Sequence, residues 1–519
     1  MKHQDPPNLN SNVRPQADEL ARIRHEIERA LQRNDFTQAA RLIEQDLGSA
    51  WYGFPPHRTA EILRQVADNV ELVPPQLAAA HKILTSSRAD LSNTEALVEV
   101  LDADDHEHMF ALAMFRMVDY RMHGRMVSAL EQLESVEAHL APMQTANQSR
   151  REWFLHAAIQ IGITAMLAGD FTKALASFMR AQMLPTVPKF PFLEREAIVK
   201  SALIHACFGN AATADGLLKR TNGIRRSSSW CDTNIDTQEE FVRILTYSGD
   251  LEEAIDRLEA ISLQDIGDMW PFYIVAFHRV LEAAGHHDEL EHQLEMFDSL
   301  PFPRVDGEGF TGSVLPLKRA MVALIVGRGA EALKYFDRAD PSLTYTKLVQ
   351  SAVDLYVGRT QQAIDRARDL RKETRGFRLM EIRRRSVLAA AQYLSGELEA
   401  TIETLKAVAE LPRGLTPHEV LLFSDEIKRL AEEHVPNWPK TIAGNAIFLP
   451  DLPKPGHALT GREIEILELL SRGYTRAEIA TELYISVSTV KTQLRSLYRK
   501  LEVSSASDAV FEGERRGVI

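Results

Sequence analysis

At 519 residues the chain is several times longer than an ordinary domain of roughly 100–200 residues, so it must be divided or built from repeats. Hydrophobic residues at 45% and charged residues at 26% exclude wholesale disorder, and a net charge of −13, from 60 basic and 73 acidic residues, excludes a protein that coats nucleic acid along its whole length. No run approaches the ~18 consecutive apolar residues of a membrane span. The two cysteines, Cys207 and Cys231, are too few for a disulfide framework or a four-thiolate zinc site, which leaves a reducing, cytoplasmic setting as the expectation.

Residues 1–17 are polar, carry Pro6, Pro7 and Pro15, and lack the apolar centre of a secretion signal, so they read as a disordered leading segment. From 18 to 433 apolar residues return at three- and four-residue spacing in an Ala-, Leu-, Glu- and Arg-rich background, which predicts helix after helix and almost no strand. A glycine followed five residues later by alanine recurs at Gly124/Ala129, Gly169/Ala174, Gly209/Ala214, Gly249/Ala254, Gly327/Ala332 and Gly358/Ala363. Asn34/Ala39 fits if Asn replaces Gly, and Gly285/Leu290 and Gly396/Thr401 open similar segments. Gly or Asn accepts the left-handed conformation that closes one helix, and a small residue lets the next helix approach its partner. The pattern predicts helical hairpins in series. Segments such as Gly169-Asp170-Phe171-Thr172-Lys173-Ala174-Leu175 resemble the second half of a tetratricopeptide repeat, although the glycine spacings of 31 to 45 mostly exceed that family's ~34-residue unit. The resemblance implies a curved α-solenoid with a long concave face for a peptide, a protein or a small effector.

Within the array, residues 366–385 hold nine basic side chains against three acidic ones, a face that could meet an anionic effector or simply be solvated. His278, His286, His287 and His292 lie close together, as do Asp104, Asp105, His106 and His108, but neither set has an established ligand spacing. No metal and no cofactor is expected. No nucleophile–base constellation emerges from the order of residues, so an enzyme is the least expected class.

Pro436, Pro439, Pro450, Pro453 and Pro455 interrupt helix over 434–457 and predict a Pro-rich linker. The remaining stretch, 458–519, reads as a small separate domain. Thr460 with Glu463, and Thr475 with Glu478, have the spacing of capping boxes. Ile464, Leu467 and Leu470 share a face of the first helix, Ile479, Ala480 and Leu483 of the second. After a break at Tyr484-Ile485-Ser486, a third helix carries Val487, Val490, Leu494, Leu497 and Leu501 as a buried stripe. Ser488, Lys491, Thr492, Arg495 and Arg499 fall on the other side, and no acid occurs between Val487 and Leu501. Two short helices joined by a tight turn, the second with a segregated basic face, have the spacing of a helix-turn-helix whose second helix enters a DNA major groove.

Leu459-Thr460-x-Arg462-Glu463, Glu478-Ile479-Ala480, Leu483, Ile485-Ser486, Thr489-Val490-Lys491, Lys500-Leu501 and Ala509-Val510 resemble the DNA-binding domain of LuxR-family transcription regulators. By that resemblance Lys491, Thr492 and Arg495 occupy base-facing positions, Arg476, Ser488, Thr489 and Arg499 are backbone contacts, and the helix over about 505–515 supplies part of a dimer contact. The implied partners are double-stranded operator DNA, RNA polymerase and a second copy of the chain in a homodimer or higher oligomer. Gln493 stands where the family commonly has His, Glu502 where Gly precedes Val503, and the usual Arg near Ala506 is missing. Some large members resemble the maltose regulator, with repeats and an ATPase domain. This chain contains no Gly-Lys pair and so no phosphate-binding loop of that type, and control is expected from a small effector or protein partner bound to the repeats. The alternative is a repeat-based interaction scaffold whose helix-turn-helix serves mainly as a docking surface.

Overall fold

The computed structural model describes residues 19–71, 73, 77, 106–146, 151–246, 250–263, 265–440, 445–446, 448–449, 452 and 459–519. The leading segment 1–17, Gly249, the side chains of the Asp104–His108 group and most of 441–458 lie outside them. The fold is all-α, an α-solenoid followed by a small helix-turn-helix unit. Among the described residues no helix is long and apolar enough to cross a membrane.

The array begins with α1 (Glu19–Gln32), α2 (Phe36–Gln45), α3 (Leu47–Gly53) and α4 (Pro56–Asn69). Hairpins follow: α5 (His106–Met122) with α6 (Met126–Ala146), α7 (Arg151–Ala168) with α8 (Phe171–Met183), and α9 (Phe192–Cys207) with α10 (Ala211–Thr221). Next come α11 (Trp230–Thr246) with α12 (Leu251–Glu259), α13 (Trp270–Ala284) with α14 (His287–Ser299), and α15 (Gly309–Ile325) with α16 (Gly329–Phe336). The last are α17 (Thr344–Tyr356) with α18 (Thr360–Asp369), α19 (Arg378–Leu394) with α20 (Leu398–Ala409), and the closing α21 (Pro417–Val420) and α22 (Asp425–His434).

The recurrent glycines do what their spacing implies. Gly124, Gly169, Gly285, Gly327, Gly358 and Gly396 have positive φ, as does Asn34 at 56°. Gly209 is the exception, since it keeps an ordinary φ and is held tight against His205. The fifth-place residues Ala39, Ala129, Ala174, Ala214, Ala254, Leu290, Ala332, Ala363 and Thr401 are all buried between the helices of their hairpins. A second signal sits beside the glycine. Asp35, Asp170, Asn210 and Asp250 each accept a backbone N–H of the helix they precede, so one dipeptide ends a helix and caps the next.

The inner face is not an open trough. Phe171, Phe208, Phe272, Phe310 and Tyr345, from five separate helices or their ends, form one aromatic knot, with Phe171 and Phe208 stacked at 4.4 Å. The N–H groups of Leu379 and Met380 donate to the carbonyls of Gly209 and Phe208 at 3.2 Å, which closes the superhelix across some 170 residues of chain. A cleft of about 340 Å³ remains beside the knot, bordered by Met126, Leu130, Phe171, Leu343, Tyr345 and Met380.

The residues of 434–457 that are described pack onto the array rather than standing clear of it. Asn445 donates its N–H to the Ala283 carbonyl at 3.3 Å, and Phe448, Leu449 and Leu452 are buried in the same core as the repeats. The terminal unit has its own core. It comprises α23 (Gly461–Ser471), α24 (Arg476–Glu482), α25 (Val487–Leu501) and α26 (Ala506–Arg515).

Candidate nucleic-acid interface

Three polar residues fix where the first three helices of the terminal unit begin. Thr460 and Thr475 each accept the N–H three residues on, and Glu463 and Glu478 return to the threonine N–H groups at 2.7 Å, so both capping boxes form. Ser486 caps α25 by accepting the Thr489 N–H at 3.1 Å, and its hydroxyl also meets those of Ser488 and Thr489 at 2.6 and 2.8 Å. The turn between α24 and α25 runs through Tyr484 in the left-handed conformation, with φ at 54°. Arg462 braces it by donating to the Leu483 carbonyl at 2.6 Å.

α25 is seated by Val490, Leu494, Leu497 and Leu501. Val487, expected to start that stripe, is 49% exposed, so the stripe begins one turn later. The core face of α23 is also wider than a single stripe: Ile466, Leu467 and Leu469 are buried while Ile464 and Leu470 are half-buried, because α25 and α26 both pack against it. Glu502 takes the place of the family glycine at φ 60°, and the Val503 N–H still closes the helix on the Tyr498 carbonyl at 2.9 Å. The turn therefore survives the substitution.

The unit carries nine basic and nine acidic side chains, so its cationic surface arises from segregation rather than excess. Lys500 leaves that surface: its ammonium donates to Glu463 at 2.7 Å in the interior. Burial would raise the Glu463 carboxyl, but Lys500 and the Thr460 N–H outweigh it and hold the group below its ordinary value. The structure places Ser488, Thr489, Lys491, Thr492, Arg495 and Arg499 on the exposed side of α25, and Arg476 exposed at the first position of α24. Within the chain Thr492 donates its hydroxyl to the Ser488 carbonyl at 3.1 Å, while Lys491, Arg495, Arg499 and Arg476 enter no ion pair among the described residues. Tyr484, read in the sequence only as part of a break, is 96% exposed on the turn leading into α25. An aromatic residue between two capping signals was its mark.

The unit touches the array away from this face. Arg515 donates to the Gly327 carbonyl at 2.9 Å, and Gly517 meets Gly329 backbone to backbone. A Cβ on Gly329 would lie 1.8 Å from the Arg516 carbonyl oxygen, so the seam admits glycine alone.

Residues 457–512 match the family of bacterial regulatory proteins, luxR family. The terminal unit is a LuxR-type helix-turn-helix domain. The chain is 32% identical over 132 residues to the transcriptional regulatory protein DegU of Brevibacillus brevis, covering 25% of this chain and 53% of that protein. It is 28% identical over 155 residues to the HTH-type transcriptional regulator AlkS of Pseudomonas putida, covering 27% of this chain and 17% of that one. With the HTH-type transcriptional regulator MalT of Yersinia enterocolitica the identity is 44% over 57 residues, 11% of this chain and 6% of MalT. The matched stretches span less than two thirds of each relative. In this LuxR-type domain the second and third helices are α24 and α25, and its exposed cationic side is the candidate interface.

Proposed function

We propose that the chain is a sequence-specific, DNA-binding transcriptional regulator of the cytoplasm, in which the helical array receives an effector or protein partner and controls the LuxR-type domain. The observation that carries this reading is the acid-free outer side of α25, which packs on helices started by two formed capping boxes and is left open among the described residues. Lys491, Thr492 and Arg495 face the base edges of a major groove, where Arg and Lys donate to guanine and the threonine methyl suits thymine. Arg476, Ser488, Thr489 and Arg499 meet phosphates and set the register, with Tyr484 beside them.

Control is transmitted through the two contacts between domain and array. The seam at Gly327–Gly329 fixes the orientation of α25 by gripping the end of α26, and the connector is anchored at Asn445, Phe448 and Leu449. An effector that shifts either contact by 1–3 kcal/mol changes operator affinity about 5–150-fold. The family's use of the terminal helix for pairing, and of RNA polymerase as a partner, extends the same reading to a homodimer on a two-part operator.

The test is an unbiased selection of duplexes by the full chain, followed by anisotropy titration at several salt concentrations. A selected sequence bound with steep salt dependence is the expected result. No sequence preference, or affinity indifferent to salt, would overturn the assignment.

A further inference from the structure

Three cations meet where the inner helices converge. Arg279 of α13 donates to the carbonyls of Ala206 and Cys207 at 2.9 and 2.7 Å, at the end of α9. Lys318 of α15, also buried, gives one of its three N–H groups to the Tyr345 hydroxyl at 2.9 Å. Arg383 of α19 is 5% exposed, yet its Nε and Nη1 have no hydrogen-bond partner among the described residues. The carboxylate nearby, Glu282, is occupied by His278 at 3.2 Å. That imidazole is pushed down to about 4, by burial first and then by Lys318, and so adds no charge. The three cations surround Phe208: Arg279 holds the Cys207 carbonyl beside it, the Tyr345 ring bonded by Lys318 packs on its ring at 5.3 Å, and the N–H of Met380, one turn before Arg383, donates to its carbonyl.

Buried cations in natural folds are paired, because an unpaired charge away from water is costly. Here the excess is two positive charges, and the unused donors belong to an arginine, whose planar fork matches a carboxylate or a phosphate. Of the other eight basic residues of 366–385, Arg368, Arg371, Lys372 and Arg375 are exposed to solvent and four have partners. Arg366 pairs with Asp354, Arg378 with Glu419, and Arg384 and Arg385 with Glu381. Over Arg383 lies a ring from the connector, Phe448, its centroid 5.6 Å from the guanidinium carbon.

We infer that Arg279, Lys318 and Arg383 form a binding site for a small dianion, a phosphate or dicarboxylate compound, which takes the position over Arg383 that Phe448 holds in this structure. The inference deepens the proposed function, since it rests on the array receiving an effector and names the chemistry of that effector. A dianion offers two negative charges to the two in excess and acceptors to Nε and Nη1. Because Phe448 belongs to the stretch leading to the LuxR-type domain, occupancy of the site and seating of the connector exclude each other.

The experiment is calorimetric titration of the full chain with inorganic phosphate and, separately, with succinate, each against chloride at matched ionic strength. Saturable binding of one or both is expected, and which one binds tells phosphate from carboxylate recognition. Arg383→Met should weaken binding roughly tenfold or more, and Arg383→Lys by less. Hydrogen exchange at Phe448 and Leu449 should quicken on binding in the wild type, a readout that needs no variant. Binding of neither dianion above chloride, equal binding by Arg383→Met, or unchanged exchange at Phe448 would overturn the site. Selection of duplexes by the same preparation separates the two readings: DNA recognition without dianion binding removes the site alone, and dianion binding without DNA recognition removes the regulator assignment alone.

Discussion

The array and the LuxR-type domain are both stacks of short helices, but they treat charge in opposite ways. The array draws cations inside. Arg195 is 2% exposed and ties Asp232, Asp236 and Glu239 together, and Lys318 and Arg383 are buried as well. The terminal domain keeps Arg476, Lys491, Arg495 and Arg499 outside and buries a carboxylate, Glu463, with Lys500 beside it. The difference teaches what each charge is for. An inward cation locks neighbouring helices or awaits an anion, while an outward one has only solvent, and a polyanion, to meet.

That contrast can be broken most severely at its interior pairs. Arg195→Ala leaves buried Asp232 without its cation and Glu239 with only the half-exposed Arg243, and should cost about 3–5 kcal/mol, read as a lowered denaturation midpoint of the array. Glu463→Ala removes both the cap return to Thr460 and the partner of Lys500, and should cost the domain about 3 kcal/mol, read as faster hydrogen exchange across α23–α26. The same group makes the domain acid-sensitive. Since its folded value lies below the ordinary 4.5, its contribution is complete above that pH and is lost as pH falls through the folded value, so exchange over α23 should rise only in acid.

Outward cations should behave differently. Lys491→Ala or Arg495→Ala should leave folding intact by circular dichroism and weaken binding to a selected duplex by about 1–3 kcal/mol, with a shallower salt slope if phosphate contact is lost. Gly329→Ala is compatible with its backbone but not with the seam, so the array should keep its stability while the amides near Gly517 lose protection from exchange. The smallest effect is expected at Glu502, where Gly relieves a left-handed residue and should stabilise the domain by about 1 kcal/mol in thermal unfolding.

The terminal domain was legible because its signals are local. A capping box spans four residues and a helical stripe repeats every three or four, so Thr460, Glu463, Thr475, Glu478 and Leu494 announce their roles without knowledge of what they touch. The hairpins of the array were legible for the same reason, through the glycine turns and the small residues behind them. Val487 and the double-sided α23 were misjudged because burial at the edge of a helix depends on its neighbours, which periodicity does not contain.

What the order of residues determined by itself was therefore the type of each element, where it starts and stops, and which side of α25 carries charge without acids. Tertiary structure alone decided that the superhelix closes on an aromatic knot, that the proline-interrupted stretch packs onto its core, that Lys500 turns inward, and that one arginine of the basic stretch, Arg383, is buried with two nitrogens lacking a hydrogen-bond partner among the described residues. The physical reason is range. Capping and amphipathicity act within one or two turns, whereas burial, pairing and the field at a charge are set by groups brought together from hundreds of residues apart.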